Sequence, residues 1–334
     1  MRDAATILAA LALVLAAGPA AAQHWAIGDP GQGAVSLDPG AAGAHELSGL
    51  AWAGGDRWAA VSDDDHHLYG LRLDVDPGSG RIRAAAVENG VTLIGSSDLE
   101  GVVLAPDGTS ATVSDEVGPA VREYALPDGQ LRRTATLPPV FATARYNLGL
   151  EALARDARGY LWTANEEALR VDGPTSPHGD GTLVRLLRLD PDLRPAGQWA
   201  YRTDAVAGSP ILDDRGTGLA DLAALPDGRL LALERSFGTE GLRIRLYEVE
   251  LDGATEVSQR PSLVGADLVP ARKRLLWERT SLRDNFEGLA IGPPLAGGAR
   301  SLVLIADDGH ALAQALYALT RRARAPAEAA TPAP

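Results

Sequence analysis

The apolar residues of this chain fall in short runs separated by Gly, Asp and Pro, and no segment keeps up a helical stripe. Five segments open on one pattern: LSGLAW (Leu47 to Trp52), DLEGVVL (Asp98 to Leu104), GLEALA (Gly149 to Ala154), GLADLAAL (Gly218 to Leu225) and NFEGLAIGP (Asn285 to Pro293). In each, a polar or acidic residue and a small residue precede a short apolar run. A turn follows, as in Pro106-Asp107-Gly108 and Pro226-Asp227-Gly228, and a second apolar run ends in acidic or amide residues. Those endings are VSDDD (Val61 to Asp65), VSDE (Val113 to Glu116), TANEE (Thr163 to Glu167), ALERS (Ala232 to Ser236) and IADD (Ile305 to Asp308). Each unit therefore opens as a hairpin of two buried strands. Segments such as LYGLRLDV with IRAAAV, VREYAL with LRRTATL, and LVRLLRLD with QWAYRT add two outer strands per unit.

Four antiparallel strands per unit, repeated along the chain, predict an all-β fold, a β-propeller. The units start at residues 48, 100, 151, 221 and 287, at intervals of 52, 51, 70 and 66 residues. That gives five blades, or six if a degenerate unit hides between Gly173 and Thr217. The last unit is short. Its missing strand is expected from the segment His24 to Glu46, which would close the ring by pairing with C-terminal strands, the last of them near Leu312 to Leu319. The propeller domain is expected over residues 23–320, with a disordered Arg, Ala and Pro-rich tail over 321–334.

The N-terminus changes the cellular picture. An apolar run from Ala4 to Ala17, then Gly18-Pro19 and the small residues Ala20-Ala21-Ala22, reads as a signal peptide over residues 1–22 cleaved after Ala22. The mature chain is expected in the periplasm or outside the cell, with no membrane anchor. There is no Cys, so disulfides, thiol catalysis and Cys-ligated zinc are excluded. A formal charge of −13, from 44 acidic and 31 basic residues, argues against nucleic acid or anionic membrane as partner. Lys273 is the sole lysine, and the Ala, Arg, Gly and Pro bias fits a GC-rich bacterial genome. A monomer acting on a small molecule is the expected working unit.

In a propeller the start of the first strand and the end of the second meet on one face near the axis, and this sequence puts acids at both places. Ser48 and Asp63, Glu100 and Asp115, and Glu151 and Glu166 are each 15 residues apart; Asp221 with Glu234 and Glu287 with Asp307 complete the set. Converging carboxylates need a cation, an arginine or protons to neutralise them. Oxygen donors without Cys fit Ca²⁺, or less well Mg²⁺, rather than zinc or copper. The expected metal ligands are Asp63, Glu100, Asp115, Glu151, Glu166, Glu234, Glu287 and Asp307. Arg145, Asn147, Arg235, Asn285 and His66 are the expected substrate contacts, with Arg122 and His67 nearby. The plainer alternative is that each acid holds backbone amides or a neighbouring blade's arginine. Catalytic residues are not identifiable, and there is no G-x-S-x-G nucleophile elbow. Trp52, Trp58, Trp162, Trp199 and Trp277 lie in apolar runs and are expected in the core.

The five hairpins together, SGLAW with SDDD, DLEGVVL with SDE, NLGLEALA with TANEEAL, GLADLAALPDGRLLALERSF, and NFEGLAIGPPLAGGARSLVLIADD, resemble the bacterial phytase-like family, "esterase-like activity of phytase", over nearly the whole mature chain. The resemblance implies an exported propeller that hydrolyses phosphoesters or esters. The family's recurring acids fall on Glu100, Glu151, Glu166, Glu234 and Glu287, with Asp307 and Asp308 closing the last hairpin. Asp221 stands where a Glu is more usual, and Ala152 where other blades have Gly. Two functions follow as expectations: a metal-assisted phosphoester or ester hydrolase acting at the channel mouth, or a non-catalytic periplasmic binding or scaffolding propeller with a structural metal.

Overall fold

A computed structural model describes residues 24–40, 42–176, 181–206, 208–209, 216–281, 283–307, 309 and 314–323. The segment 1–22 expected to be a signal peptide, Asp308 and all but three residues of the expected tail lie outside the described residues. Two short strands open the described chain, β1 (Trp25–Gly28) and β2 (Ala34–Ser36). Blade one is β3 (Leu47–Gly54), β4 (Arg57–Ser62), β5 (His67–Val75) and β6 (Ile82–Thr92). Blade two is β7 (Leu99–Leu104), β8 (Ser110–Asp115), β9 (Ala120–Ala125) and β10 (Leu131–Thr134). Blade three is β11 (Leu150–Arg155), β12 (Leu161–Asn165), β13 (Leu183–Leu189) and β14 (Pro195–Arg202). Blade four is β15 (Thr217–Ala224), β16 (Leu230–Gly238), β17 (Gly241–Glu250) and β18 (Arg272–Ser281). Blade five is β19 (Asn285–Pro294), β20 (Arg300–Asp307) and β21 (Ala315–Ala323), with β1 and β2 paired end to end along β21. The sheet is antiparallel throughout each blade. The protein is thus a five-bladed β-propeller closed by its N-terminal strands. The last strand runs to Ala323, three residues past the boundary expected from sequence.

The cores lie between blades. Leu47, Leu50, Trp58 and Tyr69 of blade one pack with Ala290, Val303 and Ile305 of blade five. Equivalent clusters fill the other four junctions, built on the second face of each strand. Of the tryptophans, Trp58 and Trp162 are buried, while Trp52, Trp199 and Trp277 are partly buried against these clusters.

Among the described residues, the long interval that left room for a sixth blade holds loop and the two outer strands of blade three. In the same way, the extra length before blade five is the connection from 251 to 271. It folds back onto blade three: the Val257 amide donates to Gln198 O and the Ala271 amide to Ala200 O, both at 2.8 Å, which covers the free edge of β14. A fully buried Arg185 fixes it there, pairing with Asp172 at 2.6 and 2.8 Å and donating to Arg260 O at 3.1 Å. Trp25 closes the ring. Its indole lies 3.8 Å from the Arg321 guanidinium and donates to Asp227 of blade four, and its carbonyl accepts from Arg274.

The innermost strands touch each other through their backbones, which explains the small residue in each opening motif. A Cβ on Gly49 would lie 2.1 Å from Glu100 O, and one on Gly288 would lie 2.2 Å from Ser48 O. Gly49→Ala is therefore expected to destabilise the fold by about 1–3 kcal/mol through overpacking. Gly70→Ala, whose added methyl meets nothing closer than 3.5 Å, is expected to cost no more than about 0.5 kcal/mol. Equal denaturation midpoints for the two variants would refute the direct contact of inner strands.

Candidate functional site

Each first strand carries a β-bulge at the same place, just after a fully buried residue: Leu47, Leu99, Leu150, Leu219 or Phe286. A bulge re-aims the extra side chain, and here the bulged residues are Ser48, Glu100, Glu151, Ala220 and Glu287. The residues that follow the partner position on the second strand are Asp63, Glu116, Glu166, Arg235 and Asp307. The axial mouth is thus a ring of seven carboxylates (Asp63, Glu100, Glu116, Glu151, Glu166, Glu287 and Asp307) and one guanidinium. Asp98 joins it from the residue before β7.

Uniform spacing misplaces two of the expected ligands. The β7–β8 turn is closed by the Ala105 amide on Ser110 O, one residue longer than the turns closed by Asp156 on Tyr160 O and Leu225 on Arg229 O. That extra residue puts Glu116, not Asp115, at the ring. Asp115 is fully buried facing the other way. It pairs with Arg122 and accepts from the Ser97 hydroxyl and the Asp98 amide at 2.5 and 3.1 Å. In blade four the opening motif is offset by one, so Ala220 and Arg235 take the ring positions. Glu234 points between blades, bound by Lys273 and Tyr201 at 2.5 Å each and by the Asp204 amide at 2.9 Å. Asp221 lies beneath the ring and accepts the amides of Leu153, Leu222 and Leu289 at 3.2, 2.7 and 2.7 Å, tying three inner strands together. These acids do what the plainer alternative held.

Of the expected substrate contacts, Arg235 and Asn285 stand in the ring. Asn285 donates to Glu287 Oε1 at 2.8 Å. Arg145 does not reach it: its guanidinium donates to the carbonyls of Ala168 and of Gly173, stapling a loop. Asn147 sits half-buried at φ 53° in the loop before β11, with no hydrogen bond from its side chain among the described residues. His66, at φ 62°, lies beside Asp98, and its Nδ1 is buried without a partner. His67 is held by Asp65 and Thr92. Asp98 and Glu116 were missed. The SDE ending contained Glu116, but its register depended on one loop residue.

Arg235 is the cation that three ring acids share, at 2.5 Å from Glu287, 3.0 Å from Glu166 and 3.8 Å from Glu151. Burial works against its charge, but Glu287, Glu166, Glu151 and Glu100 outweigh that and hold its pKa well above the ordinary arginine value. No guanidinium or ammonium among the described residues lies in ion-pairing range of Asp63, Asp98, Glu100 or Glu116. Burial and like charge raise their pKa values instead. Burial, then Asp307 and Glu287, push Asp63 up to about 9. Burial, then Glu166, push Glu116 up to about 8. Burial, then Asp115, take Asp98 to about 6. Burial, then the neighbouring acids, raise Glu100 and Glu151 well above the carboxylate range. Glu287 rises to about 7 through burial, despite Arg235.

Two groups of oxygens lie within 4.8 Å of one another: Asp63, Asp98 and Glu100, and Glu100, Glu116 and Glu151. Asp63 Oδ1 and Glu166 Oε2 are buried with no hydrogen-bond partner. A hard, oxygen-preferring cation fits these two groups, because it would satisfy Asp63 Oδ1 and displace protons from the raised carboxyls. The opposite mouth of the axis is different in kind, a cavity of about 210 Å³ lined by Leu50, Val102, Leu153, Leu222 and Leu289 with their neighbours. No helix among the described residues is long and apolar enough to cross a membrane.

Fold and site together define a five-bladed propeller with an acidic axial mouth. The chain belongs to the phytase-like family, described as "Esterase-like activity of phytase", whose model matches residues 43–310. No curated protein matches it. Among solved structures it is similar to the PQQ-bound aldose sugar dehydrogenase of Streptomyces coelicolor, with 15% identity over 90% of this chain and 99% of that one, at a TM-score of 0.43. It is also similar to regucalcin, a calcium-binding protein of Agrobacterium tumefaciens, with 14% identity over 83% and 91%, at 0.42. Hydrazine synthase of Kuenenia stuttgartiensis matches at 12% identity and 0.38, over 79% of this chain, which spans 57% of that protein. At such scores these likenesses say nothing about the chemistry of this chain.

A raised carboxylate pKa means that the folded state holds a proton the unfolded state has released. That stabilisation is complete below the unfolded value near 4 and is lost as pH rises through the folded values of about 6 to 9 of Asp98, Glu287, Glu116 and Asp63. Each such group forfeits up to about 1.4 kcal/mol per pH unit in that window. The metal-free protein is therefore expected to melt at progressively lower temperature from pH 5 to pH 9. A melting temperature that rises over this range would contradict the protonated ring.

Proposed function

We propose that this protein is an exported hydrolase of phosphoric or carboxylic esters whose acidic axial mouth is a calcium site. The observation that carries the proposal is the pair of carboxylate clusters sharing Glu100, in a ring with one guanidinium for seven acids. Asp63, Asp98, Glu100, Glu116 and Glu151 would hold the ion, with Ca²⁺ favoured over Mg²⁺ because several carboxylates can crowd it without strict octahedral geometry. A bound ion would supply polarisation of a phosphoryl or carbonyl oxygen and an activated water. Arg235 and Asn285 hold Glu287 in place, and His66 offers Nδ1 for proton exchange at the edge of the cluster beside Asp98. The family description supports ester chemistry, and the leader over residues 1–22 supports export.

Calcium is expected to bind the purified protein, to tighten as pH rises from 6 to 9, and to release protons, seen as a buffer-dependent binding heat in calorimetry. Hydrolysis of p-nitrophenyl phosphate or p-nitrophenyl acetate is expected to vanish on chelation and return with calcium. Glu100→Gln, which removes the shared ligand, is expected to weaken calcium binding about tenfold or more, roughly 1.4 kcal/mol. Absence of calcium binding at every pH would end the proposal.

One observation favours a second reading. The ring acids are deep, with Glu116 at 2%, Glu151 at 3% and Glu166 at 4% exposure, as suits a structural ion in a ligand-binding propeller. Tight calcium that raises the melting temperature, without turnover of either ester, would select it. Export is checked separately: the mature protein recovered outside the cytoplasm is expected to begin at Gln23 by N-terminal sequencing.

A further inference from the structure

Blade four breaks the chemistry of the ring without breaking its geometry. At its bulge, where blades two, three and five carry Glu, stands Ala220; on its second strand, at the position where the other blades carry an acid, stands Arg235. Ala220 brings no charge to the axis, and the guanidinium reaches acids of both neighbouring blades, Glu151 and Glu166 on one side and Glu287 on the other. One positive charge faces three carboxylates there. The compensation is incomplete in hydrogen bonds as well as charge. Glu166, 4% exposed, keeps Oε2 buried with no partner, and so does Arg235 at Nε.

We infer that Arg235 is a resident cation that occupies what would otherwise be a second divalent-metal position, formed by Glu151, Glu166 and Glu287, and so confines the exchangeable ion to blades one to three. Only the wild-type stoichiometry rests on the calcium proposal above. The three acids are spread about the guanidinium and not gathered like the two clusters of blades one to three, so the second position depends on their closing around an ion once the guanidinium is gone and on the buried oxygen of Glu166.

The test is calcium stoichiometry of the full mature chain, by equilibrium dialysis against calcium chloride and elemental analysis, for wild type, Arg235→Met and Arg235→Lys. Arg235→Met is expected to bind one more calcium per chain than wild type, and Arg235→Lys to match wild type. Arg235→Met is also expected to melt early in EDTA and to recover towards wild type in millimolar calcium, since the ion takes the place of the lost charge. Equal stoichiometry for wild type and Arg235→Met overturns the inference. So does a Met variant that fails to fold in calcium while the Lys variant folds. If wild type binds none and Arg235→Met binds one, the inference holds and the calcium proposal fails; if wild type binds calcium and the Met variant binds no more, the reverse is true.

Discussion

Like charge gathered on one axis is the constraint from which the rest of this molecule is arranged. Five blades each deliver two side chains to one axial mouth, and all but three of those ten are acids. Buried carboxylates cannot stay ionised at such density without compensation. The structure compensates in two ways that divide the ring. On the side of blades four and five a buried guanidinium does the work, and on the side of blades one and two the carboxyls have raised pKa values and a readier exchange of protons. The first is permanent and the second is exchangeable, which sets Glu100 and its neighbours apart from the acids around Arg235.

The same constraint explains why acids that look equivalent in sequence are not equivalent in space. A carboxylate just off the axis meets amides, tyrosines and arginines, and becomes part of the frame. Asp115, Glu234 and Asp221 are all of this kind, and each ties together strands or loops that must hold still for the ring to keep its shape. A sheath of satisfied acids surrounds a ring in which Asp63 Oδ1 and Glu166 Oε2 have no hydrogen-bond partner, and those two oxygens are costly to keep buried unless something binds there.

Much of the fold was legible because period-two burial and turn residues are local signals. The opening motifs, the four-strand units, the closing N-terminal strand and the blade count all follow from apolar runs and Gly-Asp turns. The general position of the mouth was legible too, with Asp63, Glu100, Glu151, Glu166, Glu287 and Asp307 placed from spacing alone. What escaped was register at single-residue precision. One added residue in the 105–110 loop exchanged Asp115 for Glu116, and a one-residue offset around Ala220 exchanged a carboxylate pair for Arg235. Arg145 escaped for another reason, since a side chain that binds carbonyls leaves no mark in the sequence that separates it from one that binds a ligand.

The pairing of β1 and β2 with β21 has a kinetic consequence. The Thr320 hydroxyl donates to the Gly28 carbonyl across 292 residues of chain, and blade five is the one sheet that cannot assemble from neighbouring segments. Loop-closure entropy makes such a contact late and slow. Blades one to four can form as local meanders while β21 still presents a bare edge and Trp25 has no partner. The chain is then an open arc with unpaired backbone groups, the state most exposed to self-association and proteolysis. Resistance to both arrives in a single event, when the two ends of the sequence meet.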